Sequence, residues 1–215
     1  MPSQLALMLP YDRLFCLLEI YFYGDNMITI TPYQPEWKDE FQNIGTALRK
    51  FLGDLATRID HIGSTSVPNL DAKDIIDIQV TVESLSNEVE RALNLAGFQR
   101  HLHITHDHIP PESTSDPKEW EKWVFKPASS SRKINLHVRV KGRANQRYPI
   151  LFRDYLRAAP MVAQAYAKVK KELAKHHPED IEAYYDIKDP VCDIIIGGAE
   201  EWAKLTNWSQ GESDC

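Results

Sequence analysis

Cysteine is scarce: three occur in 215 residues. Cys16, Cys192 and Cys215 lie far apart and form no Cys-x-x-Cys pair. That argues against a disulfide framework and favours free thiols in a reducing compartment, the cytoplasm. Basic charge is also short, with 25 Lys and Arg against 31 Asp and Glu, a net charge of −6. No nucleic-acid partner and no anionic membrane is expected from that balance, although a local basic cleft stays open. Uninterrupted apolar sequence is missing too. Residues 5–10 and 14–23 are apolar, but Asp12, Arg13 and Glu19 break the stretch below the roughly 18 uncharged residues of a membrane helix. No basic stretch precedes it, which argues against a secretory signal. Three motifs are absent as well. Without Gly-x-x-x-x-Gly-Lys-Ser/Thr the chain is no phosphate-loop kinase. Without Gly-x-Ser-x-Gly, Ser64 and Ser66 are poor acyl nucleophiles, and without Gly-x-Gly-x-x-Gly there is no dinucleotide fingerprint.

What remains is 43% hydrophobic and 26% charged, ordinary for one globular domain with an appendage. Trp37, Phe41, Ile44, Leu48 and Phe51 recur at helical steps between Pro35 and Gly53, with Trp37 expected in the core. Residues 56–62 read as a strand. Leu85, Val89, Leu93 and Ala96 space a helix stopped by Gly97, and 98–104 reads as a strand. Residues 120–126 and 133–140 alternate as strands, the second with Lys133, Asn135, His137 and Arg139 on one polar face. From Tyr148 the pattern is helical: a short helix ending before Pro160, a second to His177, and a third from Ile181, kinked at Pro190 and ended by Gly197-Gly198.

The chain is organised around residues 61–80, His-Ile-Gly-Ser-Thr-Ser-Val-Pro-Asn-Leu-Asp-Ala-Lys-Asp-Ile-Ile-Asp-Ile-Gln-Val. Gly63 lets backbone approach an anion closely, and Ser64 offers a hydroxyl and an N–H. The following run is a β-branched strand on which Ile75, Asp77 and Gln79 share a face. A carboxylate there could hold a divalent ion that bridges to phosphates at the turn.

This signature, with Lys73 and Ile76-Asp77-Ile78, resembles that of the GrpB family. The resemblance extends from Ile30-Thr31-Pro32-Tyr33-Gln34-Pro35-Glu36-Trp37 through Leu136-His137-Val138 to Phe152–Arg157, Tyr166 and Lys170–Ala174, covering roughly residues 28–190. It implies an α+β, nucleotidyltransferase-type fold: a mixed β-sheet flanked by helices, with a C-terminal helical subdomain. It also implies a domain found appended to dephospho-CoA kinases. The expected division is an extension at 1–26, with Met27 as the natural start or 1–26 a loosely attached helix. A core at 27–147, a helical subdomain at 148–206 and a tail at 207–215 follow.

By that resemblance, a nucleotide or other phosphorylated small molecule, a coenzyme A precursor among them, lies between the Gly63-Ser64 turn and the Asp77 strand. Asp77 would bind Mg2+ and act catalytically with His137, which stands where a third carboxylate is usual and could serve as a base; a buried, satisfied histidine is the plainer alternative. Phosphate-binding candidates are Gly63, Ser64, Thr65, Lys73, Gln79 and Arg139. Arg153, Lys170, Tyr185 and Lys188 join them if the helical part faces the cleft; otherwise its lysines are a solvated face. Gln79 stands where a second acid belongs, and Asn135 where the family often has histidine. The two-metal engine therefore looks incomplete. A transferase and a non-catalytic binding module fit equally well. His101, His103, His106 and His108 form a dense cluster, read either as a metal site or as a solvated hairpin loop.

Overall fold

The computed structural model describes residues 27–215, so the expectations for 1–26 lie outside the described residues. Helix α1 (Glu36–Leu52) follows Pro35 and buries Trp37, Phe41, Leu48 and Leu52, while Phe51 is half exposed. Strand β1 (Ala56–Ile62) leads into the Gly63-Ser64 turn, and β2 (Ile76–Val82) follows. Helix α2 (Asn87–Leu95) starts at the Ser86 cap. Then come β3 (Phe98–Arg100), β4 (Lys122–Pro127) and β5 (Ile134–Val140). Three helices complete the chain: α3 (Ala144–Ala158), α4 (Pro160–His176) and α5 (Ile181–Thr206).

The five strands form one mixed sheet in the order β1-β2-β5-β4-β3. Only β2 and β5 pair in parallel; the other three pairings are antiparallel. Alternation sorts the sheet into two faces. One carries Ile59, Ile76, Ile78, Val80, Phe125, Leu136 and Val138 and is sealed by α1 and α2, with Trp37, Phe41 and Leu93 in the same cluster. Each such side chain, wholly removed from water, contributes about 1.5–3 kcal/mol. The opposite face is polar. The helices α3 to α5 pack on one another and on Val67 and Leu70 of the loop after the turn. The α+β class, the mixed sheet with flanking helices and the helical C-terminal part are as expected.

Three boundaries move. The strand expected over 98–104 ends at Arg100, where the chain turns out and leaves Leu102 exposed. Helix α3 starts at Ala144 and carries Pro149 within it. Helix α5 runs through both Pro190 and Gly197-Gly198. Asp186 and Pro190 are exposed, so the carbonyl that proline leaves unbonded can face water. Gly198 serves close packing: a Cβ there would sit 3.1 Å from the Tyr155 hydroxyl of α3. The helix ends instead at Asn207, in the left-handed conformation (φ 53°).

Residues 211–215 are an ordered strap on the outer edge of β1. The Cys215 N–H donates to the Ile59 carbonyl, and the Ile59 and His61 N–H groups donate to Ser213 Oγ and Asp214 Oδ2. Arg58 and Arg49 hold strap carbonyls, and the Cys215 sulfur lies against Gly45.

Candidate functional site

The polar sheet face is ordered in rows set by strand register. One row runs Ile62, Asp77, Asn135; the next Asp60, Gln79, His137, Val124; the third Arg58, Thr81, Arg139, Lys122. Continuing the β4–β5 register by one residue puts Lys126 across from Asn135 in the first row.

Gly63 adopts φ +70°, and a Cβ there would collide with the Asp77 carboxylate. Glycine is required on both counts. The turn and the carboxylate are therefore in direct contact, as the sequence suggested. Asn135 donates to Asp77 Oδ1 at 2.9 Å. From α4, the Lys170 ammonium donates to Ser64 Oγ at 2.9 Å and to the Asp71 carbonyl at 2.7 Å. Lys170 is 3% exposed. Burial first, then the nearby Lys188 and Lys73, pull its pKa down to about 7, opposed by Cys192 and Asp71. Lys73 donates to the Tyr185 hydroxyl at 2.7 Å, and Lys188 lies 4.9 Å from the same ring while bonding Asp189. Gly63, Ser64, Asp77, Lys73, Lys170, Tyr185 and Lys188 thus converge, with the helical part supplying Lys170 and Lys188 and the loop before β2 supplying Lys73.

Four other candidates point elsewhere. Thr65 is buried, donating to the Ile75 carbonyl and lying 3.0 Å from His61 Nε2. Gln79 is wholly buried between the Gln146 carbonyl and Arg139. Arg139 is spent on Asp107 and Gln79. Arg153 clamps the His61 carbonyl, Asp154 and Asp214. These residues build the site's support and do not line the turn. His137 is half-buried beside Gln79 in the sheet, with Nδ1 buried and partnerless. Burial, then Lys122 and Arg139, push its pKa well below the usual histidine value, so it is neutral. Asp71 and Asp74 anchor their loop, through Tyr33 N–H and Lys171 and through Trp37 Nε1 and Arg132.

The residue that sequence reasoning missed is Asp107. The loop between β3 and β4 carries it onto the third row, where Lys122, the Nε–Nη2 edge of the Arg139 guanidinium and Asn145 donate to it at 2.6–3.0 Å. Burial would raise its carboxyl, but Arg139 and Lys122 more than reverse that and hold it well below the usual range. The signal was indirect: two lysines, Lys122 and Lys126, on one face of β4 demand partners. The histidines around Asp107 do not converge. His108 pairs with Asp193, His106 with Thr105, and His101 meets His103 edge-on. Among the described residues no group of three His, Cys, Asp or Glu could hold a metal ion.

A divalent pair needs more than one free carboxylate. Asp60 is bound by Arg58, Asp107 by three cationic and amide donors, and Gln79 is neutral and engaged. The residues present do not fit a two-metal centre. Two apolar hollows, of about 580 Å³ along α4 and about 350 Å³ between α4 and α5, are both lined by Ala165 and Val169, and no residue of the turn lines either.

Sheet order, turn and helical lysines define an α+β protein with a cation-lined turn at one sheet edge. The chain belongs to the GrpB family: the family model described as GrpB protein matches residues 27–197. Relatives include a dephospho-CoA kinase of Mycolicibacterium paratuberculosis, 36% identical over 84% of this chain and 48% of that protein. The chain spans about half the length of that kinase. A UPF0157 protein (BH1888) of Halalkalibacterium halodurans is 34% identical over 79% of this chain and 80% of its own. The crystal structure of conserved protein GrpB from Enterococcus faecalis aligns with a TM-score of 0.63 at 29% identity, covering 81% of this chain and 99% of that one. No helix among the described residues is long and apolar enough to cross a membrane.

Proposed function

We propose that this protein binds a nucleotide or other phosphorylated small molecule where the Gly63-Ser64 turn meets Asp77. The observation that carries the reading is the Lys170–Ser64 contact, which brings a buried ammonium from 106 residues away onto the turn. An enclosed lysine beside a hydroxyl, with Lys73 and Lys188 close by, suits a multiply charged anion. Matching regions in proteins named dephospho-CoA kinase point to coenzyme A precursors as first compounds to test. The cytoplasm, where such compounds and free thiols like Cys192 coexist, is the proposed compartment.

Binding is favoured over nucleotidyl transfer because Asp77 has no second available carboxylate beside it on the sheet face. The transferase reading keeps Asp77 as a single Mg2+ ligand and neutral His137 as base. A thermal-shift screen of nucleotides and coenzyme A precursors, each with Mg2+ and with chelator, tests both. At a hundred-fold excess over Kd, a ligand should add about 2.7 kcal/mol, a shift of roughly 5–10 °C at this size. Ser64→Ala should reduce that shift. Mg2+-dependent stabilisation abolished by Asp77→Asn would favour the transferase. If no phosphorylated compound moves the melting temperature, the reading fails.

A further inference from the structure

Lys170 is distinguished by what its amine touches. It is 3% exposed and meets two neutral oxygens, Ser64 Oγ at 2.9 Å and the Asp71 carbonyl at 2.7 Å, with the Tyr166 ring 4.6 Å away. An uncharged amine has two N–H groups, enough for both oxygens; the third proton of an ammonium is left with the ring face. The carboxylates that would neutralise it are bonded to other groups: Asp71 to Lys171 and the Tyr33 N–H, Asp189 to Lys188. Each neighbouring element adds a charged or titratable group. The loop before β2 brings Asp71 and Lys73, and α5 brings Lys188, Cys192 and Tyr185. Helix α3 sends Arg157 to the Ser66 carbonyl, and β2 sets Asp77 against Gly63. An ammonium enclosed among neutral oxygens, with other lysines close by, gives up its proton readily. The lowered pKa of Lys170, about 7, agrees with that geometry.

Resting on the reading above, we propose that the ligand presents a terminal phosphate, in its dianionic form, to Ser64 and Lys170, and that its arrival brings one proton onto Lys170. Gly63 and Ser64 are partly exposed, so the phosphate approaches across the turn while the amine stays enclosed. The dianion supplies the counter-charge that Asp71 and Asp189 give to other lysines, and the third N–H of the ammonium turns to it. A phosphodiester, with one negative charge, is a poorer partner. Well above neutral pH the proton is drawn from water, so each further pH unit weakens binding about ten-fold. Below neutral pH the amine already holds the proton, and that dependence disappears.

Calorimetric titration of ATP and of 4′-phosphopantetheine into the full chain, in EDTA at pH 8, tests this. Repeating it in HEPES and in Tris, which differ in ionisation heat, counts the protons exchanged. Uptake of roughly one proton per ligand is expected, with Kd rising about ten-fold from pH 8 to pH 9. Lys170→Arg, which stays charged throughout, should lose the uptake and flatten the profile. Its melting temperature reports whether it folds, and the wild-type arms decide the matter without it. Uptake that persists in Lys170→Arg overturns the proposal, and its loss in Asp77→Asn would then give the proton to that carboxylate. Binding with no proton exchanged also overturns it, as does equal affinity for ATP and diadenosine triphosphate, whose terminal phosphate is capped. In each of these cases the phosphorylated-ligand reading stands. Absence of binding by both ATP and 4′-phosphopantetheine overturns the two together.

Discussion

Three histidines withdrawn from water, two buried (His61, His101) and one half-buried (His137), set how the molecule responds to acid. His61 stacks on Phe41 at 4.7 Å and is held neutral, its pKa lowered to about 3 by burial and then by Arg157 and Arg153. Burial, then Lys126, lowers His101 to about 4, and His137 lies well below the usual value. In the unfolded chain each would take up a proton near pH 6.5. Between that pH and the folded values the unfolded state binds more protons, so stability is full above about pH 6.5 and falls as pH drops. A histidine buried like His61 costs about 1.4 kcal/mol per pH unit in this window. Asp107 acts in the same direction, but only below its unfolded value of 3.8. Urea midpoints should therefore fall steadily from pH 7 to 4.5, and His61→Gln should flatten part of the slope. A midpoint independent of pH over that range would contradict the neutral assignment. A buried histidine was anticipated for His137 alone; in the sequence His61 was simply the start of the stretch that leads into the turn. Only the pairing of β1 with β2 and the packing of Phe41 decide that its ring faces the core.

Elements with strong periodicity were legible, and those set by partners were not. Helix α1 and strands β2 and β5 follow from spacing, because their side chains alternate or recur against one apolar layer. Gly63 and Asp77 were legible because the turn and the strand are neighbours in sequence. Asp107 was hidden, since it enters the face from a loop whose histidines suggested either a metal site or a solvated hairpin, and nothing in the loop's sequence marked its carboxylate. The Gly197-Gly198 pair was misleading for a related reason: glycine ends a helix or lets another approach, and only the partner shows which. The two positions make a paired test. Gly198→Val should push α5 off Tyr155 and cost about 1–3 kcal/mol. Gly197→Ala, with nothing within 4 Å of the added atom, should gain about 0.5–1 kcal/mol of helix propensity. Equal effects in denaturant titrations would remove close packing as the reason for Gly198.

At the scale of the molecule, the sheet has two unlike edges. Strand β3 is three residues long, short enough to discourage pairing with another chain. Strand β1 is seven residues long and owes its protection to the strap at 211–215. Ending the chain after Gln210 should lower the melting temperature and produce concentration-dependent association, read by light scattering. A monomer of unchanged stability would show that the strap is dispensable. The same strap has a consequence for biosynthesis. Asn135 follows Asp77 by 58 residues, Lys170 follows Ser64 by 106, and Ser213 follows Ile59 by 154. A ribosome adding about 5–20 residues per second releases Ser213 roughly eight to thirty seconds after Ile59. Throughout that interval the nascent β1 has no cover, so a chaperone that shields extended backbone would find its target here, and the strap that dismisses it is made 154 residues later.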